Sequence, residues 1–184
     1  MSDALDDVDV INGAGPSDAT PLRPRRLEVW LPLLIVACDQ ISKALVRATL
    51  AIHQSVTIVP GLVDFTHVRN SGAAFGILNY ADFPFKTALI AIVATAALIG
   101  VGVYAAGLAH HQLIARIGLS LIIGGAAGNL IDRLVAGSVV DFVDVYWRTY
   151  HFWVFNVADS AISVGVTVMI LDMLGLGTHV SKTA

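Results

Sequence analysis

Residues 124–165 read "GGAAGNLIDRLVAGSVVDFVDVYWRTYHFWVFNVADSAISVG". Asp132, Asp141, Asp144 and Asp159, together with Asn129 and Asn156, stand here between two strongly apolar runs. The rest of the chain is lipid-like as well: of 184 residues 56% are hydrophobic and 14% charged, and the mean hydropathy is +0.75. That balance departs from a soluble domain and predicts a membrane protein. Ionisable and amide groups at the ends of membrane-spanning runs cost free energy unless they are paired, so each is a functional candidate as well as a structural one.

Several classes of function lack support. The net charge is −3 with 11 basic residues, and no run of Lys or Arg follows one face, which argues against a nucleic-acid partner. The single cysteine, Cys38, rules out an intramolecular disulfide and a cysteine-clustered zinc site, and its place in an apolar run reads as a small buried residue. No His-x-x-x-His or Glu-x-x-His spacing occurs, and His110 and His111 lie beside the second apolar run, away from the carboxylates. No metal and no cofactor is expected.

Four segments approach the roughly 20 residues that cross a bilayer: 29–50, 87–108, 113–131 and 157–176. The second, "TALIAIVATAALIGVGVYAAGL", carries no charge, whereas the other three hold charged or amide groups at or near one end. Residues 1–26 differ in kind, with Asp3, Asp6, Asp7, Asp9 and Asp18 among Gly, Pro and Ser before Arg23, Arg25 and Arg26. They read as a disordered tail ending in a membrane-edge anchor. Because Asp39, Gln40 and Lys43 interrupt the run that follows, it is expected to stay as the first span and not to be cleaved as a signal peptide. An even number of spans places both termini on one side with Arg23, Arg25, Arg26, Arg116 and Lys182, the cytoplasmic side by the positive-inside tendency. Arg47, Arg69, Lys86, Arg133 and Arg148 then lie on the outer side, where the carboxylates converge.

Between the first two spans, "VTIVPGLVDFTHV" (56–68) alternates β-branched and aromatic residues around Pro60-Gly61 and predicts two short strands and a turn at the membrane surface. "RNSGAAFGIL" (69–78) continues with Asn70 and Gly72 in a turn and Ala73, Ala74 and Phe75 entering an apolar stretch.

Each polar candidate has a plain structural account. Asp39 and Lys43 share a helix face and could simply neutralise each other, and Arg47 could reach the outer interface. "GGAAG" (124–128) offers a small-residue face for close helix packing. Asn129, Asp132 and Arg133 could finish the third span. Asp132 and Arg133, being adjacent, do not face each other on a helix. In "SVVDFVDVY" the side chains of Asp141 and Asp144 point to opposite faces of a strand or to one face of a helix, so one alone need join a site. Asn156 could cap the fourth helix, with Asp159 answering its dipole.

Taken together, these residues suggest a chemistry. A pair of carboxylates without metal can hydrolyse a peptide bond: one, ionised, takes a proton from water while the other, protonated, activates the carbonyl. Such a pair shares a proton and titrates as a unit. Ser160 and Ser163 have no histidine or lysine nearby in sequence, so a serine nucleophile would depend on the distant Lys43.

The ordered motifs "DQISK" (39–43), "RNSGAAF" (69–75), "GGAAGNLIDR" (124–133), "VVDF" (139–142) and "FNVADS" (155–160) resemble lipoprotein signal peptidase, also called signal peptidase II, the bacterial membrane aspartyl peptidase family. The resemblance implies an all-α membrane fold of four transmembrane helices with a small extracytoplasmic β-cradle and a short periplasmic helix. It implies one peptidase domain over residues 27–178, the cradle within about 51–80, and tails at 1–26 and 179–184. It assigns Asp141 and Asp159 as the catalytic dyad and leaves Asp144 a bystander. Asp39, Lys43, Asn70, Asn129, Asp132, Arg133 and Asn156 become supporting or substrate-contacting residues. The implied activity is removal of the signal peptide from prolipoproteins, just before a diacylglyceryl cysteine, by a monomer in the bacterial inner membrane with its site near the outer face. The long acidic tail departs from the compact family pattern.

Two other classes compete. An ion-coupled transporter predicts carboxylates near mid-span and two-fold hydropathy symmetry, whereas here the acids gather at one edge and no repeat is visible. A non-catalytic scaffold predicts acids that only cap helices.

Overall fold

The computed structural model describes residues 26–72, 83–109 and 112–175. The expected N-terminal tail up to residue 25, the Ala73–Phe75 stretch, His110-His111 and the C-terminal tail with Lys182 lie outside the described residues. The chain forms α1 (Arg26–Thr49), β1 (Ser55–Val59), β2 (Val63–Asn70), α2 (Lys86–Gly107), α3 (Leu113–Ala136), β3 (Val139–Trp147), β4 (Tyr150–His151) and α4 (Val157–Met173).

Among the described residues three helices, α1, α2 and α3, are long and apolar enough to cross a membrane. The fourth, α4, has 17 residues, about 25 Å at the helical rise, somewhat under the roughly 30 Å of a hydrocarbon core. It ends at Met173 where the hydropathy pattern carries on to residue 176. The third span departs from expectation in the other direction, running five residues past 131 to Ala136. Asp132 and Arg133 therefore sit on its last turns. Gly137 stops the helix in the left-handed conformation (φ 69°), its N–H donating to the Arg133 carbonyl, a backbone state that favours glycine.

Helix α3 is the centre of the bundle, with α1 and α4 on its two small-residue faces. A Cβ on Gly124 would come within 2.8 Å of Ile35 Cβ in α1, and one on Gly128 within 2.6 Å of Asp39 Oδ2. On the other side a Cβ on Gly165 of α4 would stand 2.6 Å from the Gly118 carbonyl oxygen, and one on Gly125 would strike the Ala158 carbonyl. Small residues thus let three backbones meet at distances any larger residue would prevent. Helix α2 packs on α3 through Ala105, Leu108, Ala115 and Leu119. Outward faces are apolar, as lipid requires: Leu33, Leu34, Ile41, Ile92, Val93 and Val103 are all exposed. Cys38 shares that surface. The expectation of a buried thiol fails because in lipid the apolar side of α1 faces out and its polar side, Asp39 and Lys43, faces in.

The strands form one antiparallel sheet in the order β1-β2-β3-β4. The turn at Pro60-Gly61 joins β1 to β2 as the alternation predicts, with Gly61 at φ 78°. The third strand comes from the distant "VVDFVDVYW" segment, and Asn70 pairs with Val139 and Val68 with Asp141. Phe142 and Val140 turn their side chains towards Val46, Leu50 and Val157, seating the sheet on the ends of α1 and α4.

Candidate active site

The site begins at the N-terminus of α4. Asn156 accepts a hydrogen bond from the Asp159 N–H at 2.9 Å, and Asp159 Oδ2 accepts from the Asn156 N–H at 3.3 Å, a reciprocal capping box. The plain structural accounts of both residues are therefore true, yet neither side chain is used up. Asn156 Nδ2 reaches Asp141 Oδ1 on β3 at 2.7 Å, and Asp159 Oδ1 accepts from Asn129 Nδ2 at 2.8 Å. Asn156 touches both aspartates, which are eighteen residues apart in sequence.

Three asparagine amides surround these acids, and each is oriented by a partner that can only donate. Asn70 Oδ1 accepts from the Gly72 N–H at 2.9 Å, which turns its Nδ2 to Asp141 Oδ2 at 3.1 Å. Asn156 Oδ1 is held by the Asp159 N–H, which leaves its NH2 for Asp141. Asn129 Oδ1 accepts from Lys43 Nζ at 3.0 Å and from Asn156 Nδ2 at 3.2 Å, so its own NH2 faces Asp159. A backbone N–H and an ammonium have no acceptor capacity, so a flipped amide would set donor against donor.

Beneath this layer lies Lys43, fully buried. Its three N–H groups meet three acceptors: Asp39 Oδ2 at 2.8 Å, Asp132 Oδ2 at 2.9 Å and Asn129 Oδ1 at 3.0 Å. The expected Asp39–Lys43 pair exists and is one edge of a larger cluster joining α1 to α3. Asp39 Oδ1 also accepts from the Ala158 N–H at 3.0 Å, in the first turn of α4, where the helix dipole favours an anion. Asp132 Oδ2 accepts from the Val140 N–H at 3.3 Å and so positions the strand that carries Asp141. Arg133 donates to the Asn129 carbonyl at 3.1 Å and to the Gly72 carbonyl at 3.0 Å, tying α3 to the end of β2. Arg47 stays near the surface, 3.7 Å from Asp132.

All nine residues expected at the site thus belong to one bonded network. Asp144 stands apart, buried farther along β3 with His151 Nδ1 at 3.0 Å. Sequence reasoning missed Gln40, whose Nε2 lies 3.1 Å from the Gly128 carbonyl, 3.2 Å from Asp39 and 3.3 Å from Asp132. An amide inside an apolar run, next to Asp39, was the available signal.

Burial pushes the Asp141 carboxyl up to about 6 from its ordinary 3.8, and the charge of Asp159 adds to the rise. Hydrogen bonds from Asn70 and Asn156 and the charge of Lys43 oppose it. A carboxyl so placed exchanges its proton near neutral pH, as general acid–base catalysis requires. Among the described residues no group of His, Cys, Asp and Glu is arranged to hold a metal ion.

Comparison with known proteins gives the family. The family model described as "Signal peptidase (SPase) II" matches residues 31–175. A lipoprotein signal peptidase of Geobacter metallireducens is 46% identical over 136 residues, covering 74% of this chain and 83% of the relative. One from Pseudomonas aeruginosa is 42% identical over 150 residues, 79% of this chain and 86% of the relative. Among solved structures, a bacterial membrane enzyme determined by the in meso method at 2.3 Å is similar with a TM-score of 0.75 and 31% identity, over 87% of this chain and 94% of that one. Matched along most of its length by family, sequence relatives and fold, the chain belongs to the signal peptidase II family of aspartic-type peptidases.

Proposed function

We propose that the chain removes signal peptides from prolipoproteins, with Asp141 and Asp159 as the catalytic dyad and the scissile bond lying just before a diacylglyceryl cysteine. The observation that carries this reading is the placement of two carboxylates on the two sides of Asn156, each receiving N–H donors from oriented asparagines. One carboxylate of the pair is ionised and takes a proton from a water molecule as its oxygen attacks the carbonyl carbon. The other, protonated, gives its proton to the carbonyl oxygen. The tetrahedral diol then collapses, the C–N bond breaks, and a proton passes to the departing amine. Asp141, with its raised proton affinity, is suited to hold the shared proton.

In this reading α4 is the fourth span. Gly165 packs at Gly118 and Ala158 at Gly125, so α4 runs antiparallel along most of α3, itself long and apolar enough to span. Four spans place both termini in the cytoplasm and the sheet and dyad at the outer face of the bacterial inner membrane. The lipidated signal helix then stays in the bilayer while its scissile bond reaches the edge. Residues 27–178 act as the peptidase unit, as a monomer, with tails at 1–26 and 179–184.

The test is conversion of a lipidated prolipoprotein to its mature form in proteoliposomes. Asp141→Asn and Asp159→Asn each lower the rate by ~10²–10⁴-fold. In Asp159→Asn the remaining side-chain oxygen can still accept from the Asn156 N–H, which keeps the α4 cap, and thermal unfolding in detergent checks that both variants are folded. Processing near the wild-type rate by either variant sinks the dyad.

A further inference from the structure

The sheet carries a second feature that catalysis does not use. β2 and β3 are antiparallel, with Asn70 opposite Val139 at one end and Val63 opposite Val145 at the other. The site occupies the first end. Both hairpin turns occupy the second: the Tyr146 N–H donates to the Leu62 carbonyl at 2.9 Å beside the β1–β2 turn, and Trp147 pairs with Tyr150 across the two-residue β3–β4 turn. This far end is apolar and open. Val59, Leu62, Trp147, Tyr150, Phe152 and Trp153 are all exposed, Trp147 by 61% and Tyr150 by 64%.

An apolar patch at the end of two edge strands is an aggregation site in water. Its composition matches a membrane–water interface, where Trp and Tyr concentrate because each ring has an apolar body and a polar tip. The charges fit as well. Arg148, exposed at the turn with φ 56°, offers a cation to a lipid phosphate. The nearby carboxylates do not oppose it freely, because Asp64 accepts from the Tyr146 hydroxyl at 3.2 Å and Asp144 lies against His151. Position agrees too: Trp153 lies four positions before Val157, the first residue of α4, a reach of at most about 14 Å.

We infer that the paired hairpin tips, Val59 and Leu62 with Trp147–Trp153, insert into the headgroup–acyl boundary of a phospholipid leaflet and anchor the sheet to the membrane at the end remote from the site. The occupant is lipid, continuous with the lipid surrounding the helices. The anchored sheet holds β3, and with it Asp141, at a set depth.

Fluorescence from the full chain with Trp30→Phe and Trp153→Phe, leaving Trp147 alone, tests this in phosphatidylcholine–phosphatidylglycerol vesicles. Trp147 emission is expected to be blue-shifted from that of N-acetyltryptophanamide in buffer. Lipids brominated near the carboxyl end of the acyl chain should quench it more than lipids brominated near the methyl end. Strong quenching by aqueous acrylamide without loss to brominated lipid puts the tip in water and overturns the inference. Resistance to both quenchers, from burial against a second copy or another protein, overturns it equally. As an independent reading, Thr149→Cys in a Cys38→Ser background carries a spin label that should collide more with oxygen than with a water-soluble nickel chelate. The reverse order rejects insertion.

Discussion

The ammonium of Lys43 donates to Oδ1 of Asn129 across 3.0 Å, and this contact decides which end of the Asn129 amide faces Asp159. A charge on α1 thereby determines the hydrogen bonding of a carboxylate on α4, without touching it, through a side chain on α3.

Asn129→Asp replaces the NH2 donor facing Asp159 with an oxygen that cannot donate when ionised. The lost bond is one to a charged acceptor, worth about 1.5–3 kcal/mol. Turnover in a steady-state peptide-cleavage assay should fall by roughly one to two orders of magnitude. An unchanged kcat means that the Asn129–Asp159 bond does no chemistry.

Lys43→Met removes the cation from between Asp39 and Asp132, both buried. Breaking a buried ion cluster by taking one partner costs about 3–5 kcal/mol. Adding Asp39→Asn and Asp132→Asn to Lys43→Met should recover part of that loss, because no uncompensated charge remains. Thermal unfolding in detergent measures both. A triple variant less stable than the single one contradicts the account.

The raised proton affinity of Asp141 has a signed consequence for stability. The folded carboxyl holds its proton up to about pH 6, whereas the unfolded one releases it near 3.8. Between these values the unfolded state is favoured progressively as pH rises, and the penalty is complete above about 6, at about 3 kcal/mol. Asp141→Asn lacks this ionisation. Its stability advantage over the wild type should open between pH 4 and 6 and stay level above, in unfolding curves at stepped pH. Asn70→Ala removes a bond that lowers the Asp141 value, so the alkaline limb of its rate profile should move to higher pH. A limb that stays in place separates that limb from Asp141.

Gly165→Ala puts a Cβ 2.6 Å from the Gly118 carbonyl oxygen, a backbone atom that can yield only if α3 and α4 part. Overpacking of this kind costs about 1–3 kcal/mol. The Asn129–Asp159 bond crosses the same interface, so activity should fall with stability. Gly102→Ala in α2, where nothing lies within 4 Å, is the control and should leave both intact. Equal behaviour of the two variants refutes the close-packing argument.

Much of this was legible in the linear pattern. Long apolar runs give the helices because lipid leaves backbone polar groups no other partners. The β-branched alternation around Pro60-Gly61 gives a hairpin, and "FNVADS" states its cap in the spacing of Asn156 and Asp159. The choice between Asp141 and Asp144 was not legible from spacing, since a strand sends the two side chains to opposite faces and local pattern does not say which face meets Asn156. Gln40 and the outward Cys38 were misjudged or missed for a related reason: a helix's polar side is inward only when its surroundings are lipid.

The sequence by itself determined the elements, the membrane environment and the set of polar residues that cannot stand alone in lipid. Only the tertiary structure decided their partners. The bonds from Lys43 to Asn129, Asn156 to Asp141 and Asp132 to Val140 join groups separated along the chain, and each forms because α1, α3, α4 and β3 are brought together by glycine contacts and a shared core. Hydrogen bonds act over about 3 Å, a distance that packing sets and that sequence order does not encode.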